Sequence, residues 1–270
     1  MISSWHCGGC GDNIAAFGGD PGCVTVFGQS GGGAKVTTLL QTPAADGLYH
    51  RAMIMSGVLE GLLNDSVGSG RDCVQALMQE LGVQTAQQLE TVPYHQLAQA
   101  YRNVSPALKA KGANVGQSPH PNRFYLGDPL QNGSGFRPET ADIPVLIGTV
   151  YSEFYGFFGG LKGVSPEEAV GLSAAETLRE QFRTAYPHRP EEDLLLADTS
   201  FRAPTIKYVR ERAKAGGKVY SYLFDQDFPL MGKSTRGTVQ ISHLCSTTQS
   251  LCQCVPLREQ SGWKRKFLAL

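Results

Sequence analysis

Residues 24–33 read VTVFGQSGGG, a short β-branched and aromatic run that leads directly into a glycine-rich turn. Runs of this kind are typical of a buried strand. The segment 34–40 then suits a helix, and a second apolar run over 51–56 ends at Gly57. A strand, a tight turn, a helix and a strand in this order predict a βαβ unit with parallel strands.

The turn has the pattern Gly28-x-Ser30-x-Gly32 between strand and helix, which is the pattern of a nucleophile elbow. We predict that glycine is required on each side of the serine, because the serine holds a strained backbone and the chain passes close to its neighbours. The amide of Gly31 lies at the start of the helix, where it can donate to the oxyanion of a tetrahedral intermediate. A phosphate-binding loop is the alternative, but the Gly-Lys-Ser/Thr and dinucleotide-binding patterns are both absent. Ser30 is therefore the candidate nucleophile.

Further strands and helices are predicted beyond this unit. Apolar residues at helical spacing run through 70–110, and a stretch rich in Gly, Pro and Asn follows at 111–142. The later predicted elements are a strand at 144–149, helices at 165–186 and 203–215, and a strand at 218–224. Glu153 comes shortly after the first of these strands, at the carboxyl end where α/β enzymes place their chemistry.

The sequence around the serine closely resembles the elbow region of the type-B carboxylesterase and cholinesterase family. The resembling stretches are DNIAAFGGDP at 12–21, VTVFGQSGG at 24–32, QTP at 41–43, LYHRA at 48–52 and MSG at 55–57, with a looser likeness to about residue 232. The resemblance implies an incomplete α/β-hydrolase fold of the α/β class. In it a central, mostly parallel sheet carries flanking helices, and the N-terminal strands and the C-terminal part are missing. It also implies a serine carboxylic-ester hydrolase that acts on a small-molecule ester through an acyl-enzyme, with no cofactor and no metal.

The resemblance also names a catalytic acid. The family has a glutamate in a segment that IGTVYSE at 147–153 resembles. This implies that Glu153 orients the catalytic histidine and stabilises the imidazolium that forms as Ser30 loses its proton. The alternative for Glu153 is a carboxylate on the protein surface.

The catalytic histidine is missing where the resemblance places it. This fold requires the chain order serine, acid, histidine, and the family has an Ala-Trp-His-like segment after the strand that corresponds to 220–230. The chain reads GKSTRGT at 232–238 instead, and the surroundings of the nearby His243 do not match. We expect that the histidine is lost, which puts hydrolysis by this chain in doubt.

Both ends of the chain are expected to be products of a shifted reading frame. Codons for 232–248, read two bases later, can encode KEHAWHRADIPFVFHN, which resembles the missing histidine segment. Residues 3–11 can be recoded in the same way as QLALRWVR, the helix expected before Asp12. The upstream Gly-Gly donors of the oxyanion hole are also expected to be absent. The predicted organisation is a non-native leader at 1–11, a partial type-B carboxylesterase domain at 12–232 and a non-native tail at 233–270.

Composition and charge restrict the partners. Lys plus Arg and Asp plus Glu both number 24, which gives no reason to expect nucleic acid as a partner. No apolar stretch reaches the roughly 18 residues that a membrane-spanning helix needs, so no membrane span is expected. No signal peptide is visible, and a cytoplasmic location is expected. Nothing in the sequence indicates an oligomeric state.

The cysteines leave one alternative open. Cys7-x-x-Cys10 could be a redox pair, or half of a zinc site completed by residues near the other end of the chain. Those residues are His243, Cys245, Cys252 and Cys254. Accidental cysteines in non-native ends are the favoured interpretation.

Two other functional classes compete with ester hydrolysis. One is a non-catalytic, cholinesterase-like binding protein, and the other is a nonfunctional fragment. A protein that had long served only in binding would be expected to lose the elbow residues. The complete Gly28-x-Ser30-x-Gly32 pattern therefore argues against a binding role.

Overall fold

The computed structural model describes residues 2–58, 70–113, 115, 119, 121–131, 135–153, 172–196, 201–224, 228–230 and 233–235. The helices and strands in chain order are α1 (Ile2–Asn13), β1 (Thr25–Gln29), α2 (Gly31–Leu40), β2 (Arg51–Met55), α3 (Arg71–Leu81), α4 (Tyr94–Ala110), β3 (Val145–Val150), α5 (Leu172–Ala185), α6 (Arg202–Lys214), β4 (Val219–Phe224), β5 (Phe228–Leu230) and β6 (Lys233–Thr235). Short 3-10 turns occur at Ile14–Phe17, Pro21–Cys23, Pro43–Ala45, Ala86–Thr91, Pro138–Thr140 and Glu191–Leu196.

Four strands form a parallel sheet in this part of the chain, in the order β1-β2-β3-β4. Helices lie in each connection between consecutive strands, as parallel pairing requires. The register aligns Gln29 with Met55, and Met55 with Gly148. The carboxyl ends of the strands therefore share one edge of the sheet, which is the edge that Ser30 and Glu153 follow.

The main hydrophobic core lies between the sheet and helices α2 and α6. Ile54 and Ile147, on the two inner strands, have no solvent exposure. They cluster with Leu40 of α2 and Tyr208 of α6. Burial beneath helices explains why the side chains on this face of the sheet are apolar.

The opposite face of the sheet carries an apolar row that the described residues leave open. The register places Phe27, Met53, Leu146 and Tyr220 side by side across the four strands. Phe27 and Tyr220, on the two outer strands, are each 62% exposed. Parallel sheets are ordinarily covered on both faces.

Two buried arginines fix the segment that leads into β3. Arg137 makes a bidentate pair with Asp46, with nitrogen–oxygen distances of 2.7 and 2.5 Å. Arg212 of α6 donates from Nη2 to the carbonyls of Thr140 and Ile143, at 2.6 and 3.1 Å. Hydrogen bonds to charged groups are stronger than neutral ones, so these contacts hold the entry to β3 against α6 and the turn after α2.

The predicted α/β class is confirmed, and the predicted elements occur where the chain is described. The four predicted strands are β1 to β4, and the helices predicted within 70–110 are α3 and α4. Of the helix predicted at 165–186, the described portion is α5, and positions 165–171 lie outside the described residues. The non-native origin of 1–11 and 233–270 stays a prediction, and positions 236–270 also lie outside the described residues.

One boundary was placed wrongly by the sequence. Helix α2 begins at Gly31, three residues before the predicted start. Low helix propensity of glycine argues for a later start. The sharp turn at Ser30 instead sends the chain straight into the helix, so the glycines form its first turn.

Candidate active site

Ser30 occupies a strained turn between β1 and α2. Its backbone has φ 54° and ψ −125°, a conformation that costs on the order of 1–3 kcal/mol for a residue with a side chain. The Ser30 N–H donates to the carbonyl of Met55 at 2.9 Å, and the Ser30 carbonyl accepts from the Ala34 N–H at 3.0 Å. The turn is thus tied both to the neighbouring strand and to its own helix.

The packing around this turn requires glycine at Gly28, as predicted, but not at Gly32. A β-carbon on Gly28 would lie 2.3 Å from backbone atoms of Gly32, so no side chain fits there. At Gly32 itself an added β-carbon would meet nothing within 4 Å. The second tight position is Gly33, whose added β-carbon would lie 2.8 Å from the Cα of Gly57. The predicted steric requirement therefore applies at Gly28 but is wrong for Gly32.

Gly31 is the first residue of α2. The first N–H groups of a helix have no acceptor within the helix, and the helix dipole favours negative charge at this end. This position fits the oxyanion donor that the sequence predicts at Gly31.

Glu153 is a buried carboxylate, so the alternative of a surface position is wrong. The residue is 5% exposed and follows β3 by three positions. Its Oε1 accepts from the Ser56 hydroxyl at 2.5 Å and from the Val150 N–H at 3.1 Å. A carboxylate at low exposure is retained only when such donors offset its lost hydration, and here they also fix its orientation.

The contact with Ser56 was missed by sequence reasoning. Ser56 directly follows β2, is 1% exposed, and has a positive φ of 47°. Its N–H donates to the carbonyl of Gly148 at 2.8 Å. A hydroxyl donating to a carboxylate is a charge-assisted bond of the stronger class. The available signal was its place directly after the second strand, at the same edge as Ser30 and Glu153.

The topology brings Ser30 and Glu153 to one edge of the sheet. They follow β1 and β3, and the end of β2 lies between them. Two strand spacings separate the ends of β1 and β3, which is about 10 Å. The two side chains are therefore anchored on either side of Ser56, at the carboxyl edge where α/β enzymes bind ligands.

His50 does not lie at this edge of the sheet. His50 precedes β2, and its Nδ1 accepts from the Val24 N–H at 3.2 Å, so it lies at the amino ends of β1 and β2. His243 lies outside the described residues.

The described residues also bear on metals and membranes. Within the described ranges, no group of three or more His, Cys, Asp and Glu side chains could hold a metal ion. The zinc alternative depends on His243, Cys245, Cys252 and Cys254, which lie outside those ranges. No helix in the part of the chain that the structure covers is long and apolar enough to cross a membrane.

Comparison with known sequences gives a consistent set of similarities. The sequence profile described as "Carboxylesterase family" matches residues 11–247. The para-nitrobenzyl esterase of Bacillus subtilis is 30% identical over 221 residues, which cover 79% of this chain and 44% of that protein. Liver carboxylesterase 1F of Rattus norvegicus is 27% identical over 262 residues, covering 83% of this chain and 46% of that one. The chain thus spans a little under half the length of these curated relatives.

Solved structures are similar as well. An esterase from Clostridium hathewayi, described as able to hydrolyse aliphatic aromatic polyesters, is 45% identical with a TM-score of 0.74. That match covers 86% of this chain and 48% of the other. A thermophilic para-nitrobenzyl (pNB) esterase, at 24% identity and a TM-score of 0.54, covers 95% of this chain and 54% of its own and shows a shared fold.

Proposed function

The chain belongs to the carboxylesterase family and has the α/β-hydrolase fold, and from this we propose that it carries serine ester-hydrolase chemistry. Ser30 is the nucleophile, Glu153 the acid and Gly31 an oxyanion donor. The observation that carries the proposal is the strained Ser30 turn at the same sheet edge as the buried, hydrogen-bonded Glu153.

The reaction runs through an acyl-enzyme. The Ser30 hydroxyl attacks the acyl carbon of a small neutral ester while a histidine takes its proton, and the oxyanion accepts from the Gly31 N–H. The histidine then gives that proton to the departing alcohol. Water repeats the sequence on the acyl-serine and releases the acid. Glu153 stabilises the imidazolium in both halves, and no step needs a metal or cofactor.

The histidine is one part of this machinery that we propose is missing. It is proposed to belong to KEHAWHRADIPFVFHN, the segment obtained when codons of 232–248 are read in the alternative frame. Residues 232–238 read GKSTRGT and contain no histidine. We call the variant in which residues 233–248 are replaced by that segment the frame-restored chain.

A binding protein without catalysis is the competing proposal. Binding alone gives no reason to keep a strained serine at the edge of the sheet or a buried carboxylate fixed by two donors. A strained turn of this kind suits a nucleophilic serine, and a buried carboxylate suits the acid that supports a catalytic histidine, which favours hydrolysis.

Product release before the steady state distinguishes ester hydrolysis from binding without catalysis. Mixed with para-nitrophenyl butyrate, the frame-restored chain is expected to release a rapid burst of nitrophenol, close to one per chain, before the steady state, because the acyl-enzyme accumulates. Ser221 is an exposed serine on β4, so Ser221→Ala should keep the burst. Linear release at the buffer rate would contradict hydrolysis and favour the binding protein.

A further inference from the structure

The turn that carries Glu153 is anchored by Tyr151, two residues before it. Tyr151 has no solvent exposure. Its N–H donates to the carbonyl of Phe224 at 2.9 Å, and its hydroxyl donates to the carbonyl of Asp193 at 2.8 Å. Burial raises the pKa of Tyr151 to about 12, so the phenol stays protonated and keeps this donor role at neutral pH.

Two guanidinium groups hold the same residue. That of Arg189 lies 3.9 Å from the centre of the Tyr151 ring and pairs with Asp193 at 3.0 Å. That of Arg202 lies 5.6 Å from the ring centre and donates from Nη2 to the Tyr151 carbonyl at 3.2 Å. Arg202 also donates from Nη1 to the Tyr186 hydroxyl at 2.7 Å. Tyr186 in turn packs edge-on against Tyr151, with ring centres 5.3 Å apart.

Holding two arginine side chains around Tyr151 costs free energy, so we expect their contacts to fix part of the structure. Bringing arginine side chains into partly buried positions removes much of their hydration. Arg189 pairs with a carboxylate, and Arg202 donates to two neutral oxygens, one of them a backbone carbonyl. A carbonyl held by a charged donor cannot rotate freely, so the peptide unit that leads toward Glu153 is fixed from α6.

We propose that Arg202 is a positioning residue for Glu153. By holding the Tyr151 carbonyl it keeps the carboxylate within reach of Ser56 and Val150. The inference rests on the proposed function, since it assigns Arg202 a part in aligning the acid of that reaction. Misplacement of a reacting group by roughly 1 Å can cost about a hundredfold in rate, which is the reason to fix this turn so firmly.

The Val150 N–H gives a direct test, because its acceptor is Oε1 of Glu153. Its hydrogen-exchange rate, measured by NMR relative to that of Ile147 in the same strand, is expected to rise about tenfold in Arg202→Met, the effect of losing one hydrogen bond. Arg202→Lys keeps a charged donor and should recover part of the protection. Arg210 is exposed on the same helix, so Arg210→Met should leave the ratio unchanged.

The ratio separates positioning from mere stability. The proposal would be overturned if the ratio stayed the same. Equal acceleration at Val150 and Ile147 would mean that Arg202 only stabilises the fold, and no acceleration at either would mean that Arg202 does not affect this turn. If Arg202→Met does not fold, Tyr186→Phe removes one acceptor of Arg202 with little change in packing. It should raise the ratio about threefold, a fraction of one hydrogen bond, and no rise would overturn the proposal. The measurement needs no ester, so it is decided independently of whether Ser30 reacts.

Discussion

The frame-restored chain is expected to hydrolyse para-nitrophenyl butyrate about a millionfold faster than the chain as given, because losing the histidine alone costs a serine hydrolase about that factor. Without a base the Ser30 hydroxyl is a poor nucleophile at neutral pH. With one, the proton has an acceptor that Glu153 can stabilise. Initial rates, corrected for buffer hydrolysis, measure the change directly.

The control for this prediction keeps the replacement but removes its base. In the same variant, the histidine of the Ala-Trp-His triplet is changed to alanine, and the rate should return to that of the chain as given. A rate increase that survives this change, or full activity in the chain as given, would contradict the missing-histidine account.

Glu153→Gln in the frame-restored chain is expected to lower turnover about ten-thousandfold, the loss seen when a triad carboxylate becomes its amide. The amide has nearly the same shape and still offers an oxygen to the Val150 N–H, so the fold should persist. It carries no charge to stabilise the imidazolium. The measurement is kcat together with a denaturation midpoint, so that lost activity is separated from lost structure.

A matched change elsewhere shows whether the effect is local. Glu180 is exposed on α5, and Glu180→Gln should alter turnover by less than about twofold, as surface substitutions usually do. If Glu153→Gln lowered kcat by less than about tenfold, the carboxylate would not be the acid of the reaction.

The order of strands and helices around Ser30 was predictable because its signals are local. An apolar run followed by Gly28-x-Ser30-x-Gly32 specifies a strand, a sharp turn and a helix within a few residues. The need for glycine at Gly28 is also a local effect, because the backbone of Gly32 lies where a side chain on Gly28 would be. The start of α2 was misplaced because propensity at Gly31 opposed a helix that the turn enforces.

The contacts that organise the acid were not predictable, because they join distant parts of the chain. Ser56 and Glu153 are separated by 97 positions and meet only because β2 and β3 are neighbours in the sheet. Arg202 reaches Tyr151 from α6, 51 positions away. A single sequence carries no signal for such pairings beyond the edge of the sheet on which each residue falls.

We propose that Ser30 is a nucleophile whose base is missing from this chain. The most direct measurement is labelling with a fluorophosphonate probe, with the modified residue mapped by mass spectrometry. The chain as given, the frame-restored chain and Ser30→Ala of each are compared as soluble, folded samples. We expect modification of Ser30 in the frame-restored chain and background labelling in the other three samples. Labelling that survives Ser30→Ala, equal labelling of the chain as given, or no labelling of the frame-restored chain would contradict it.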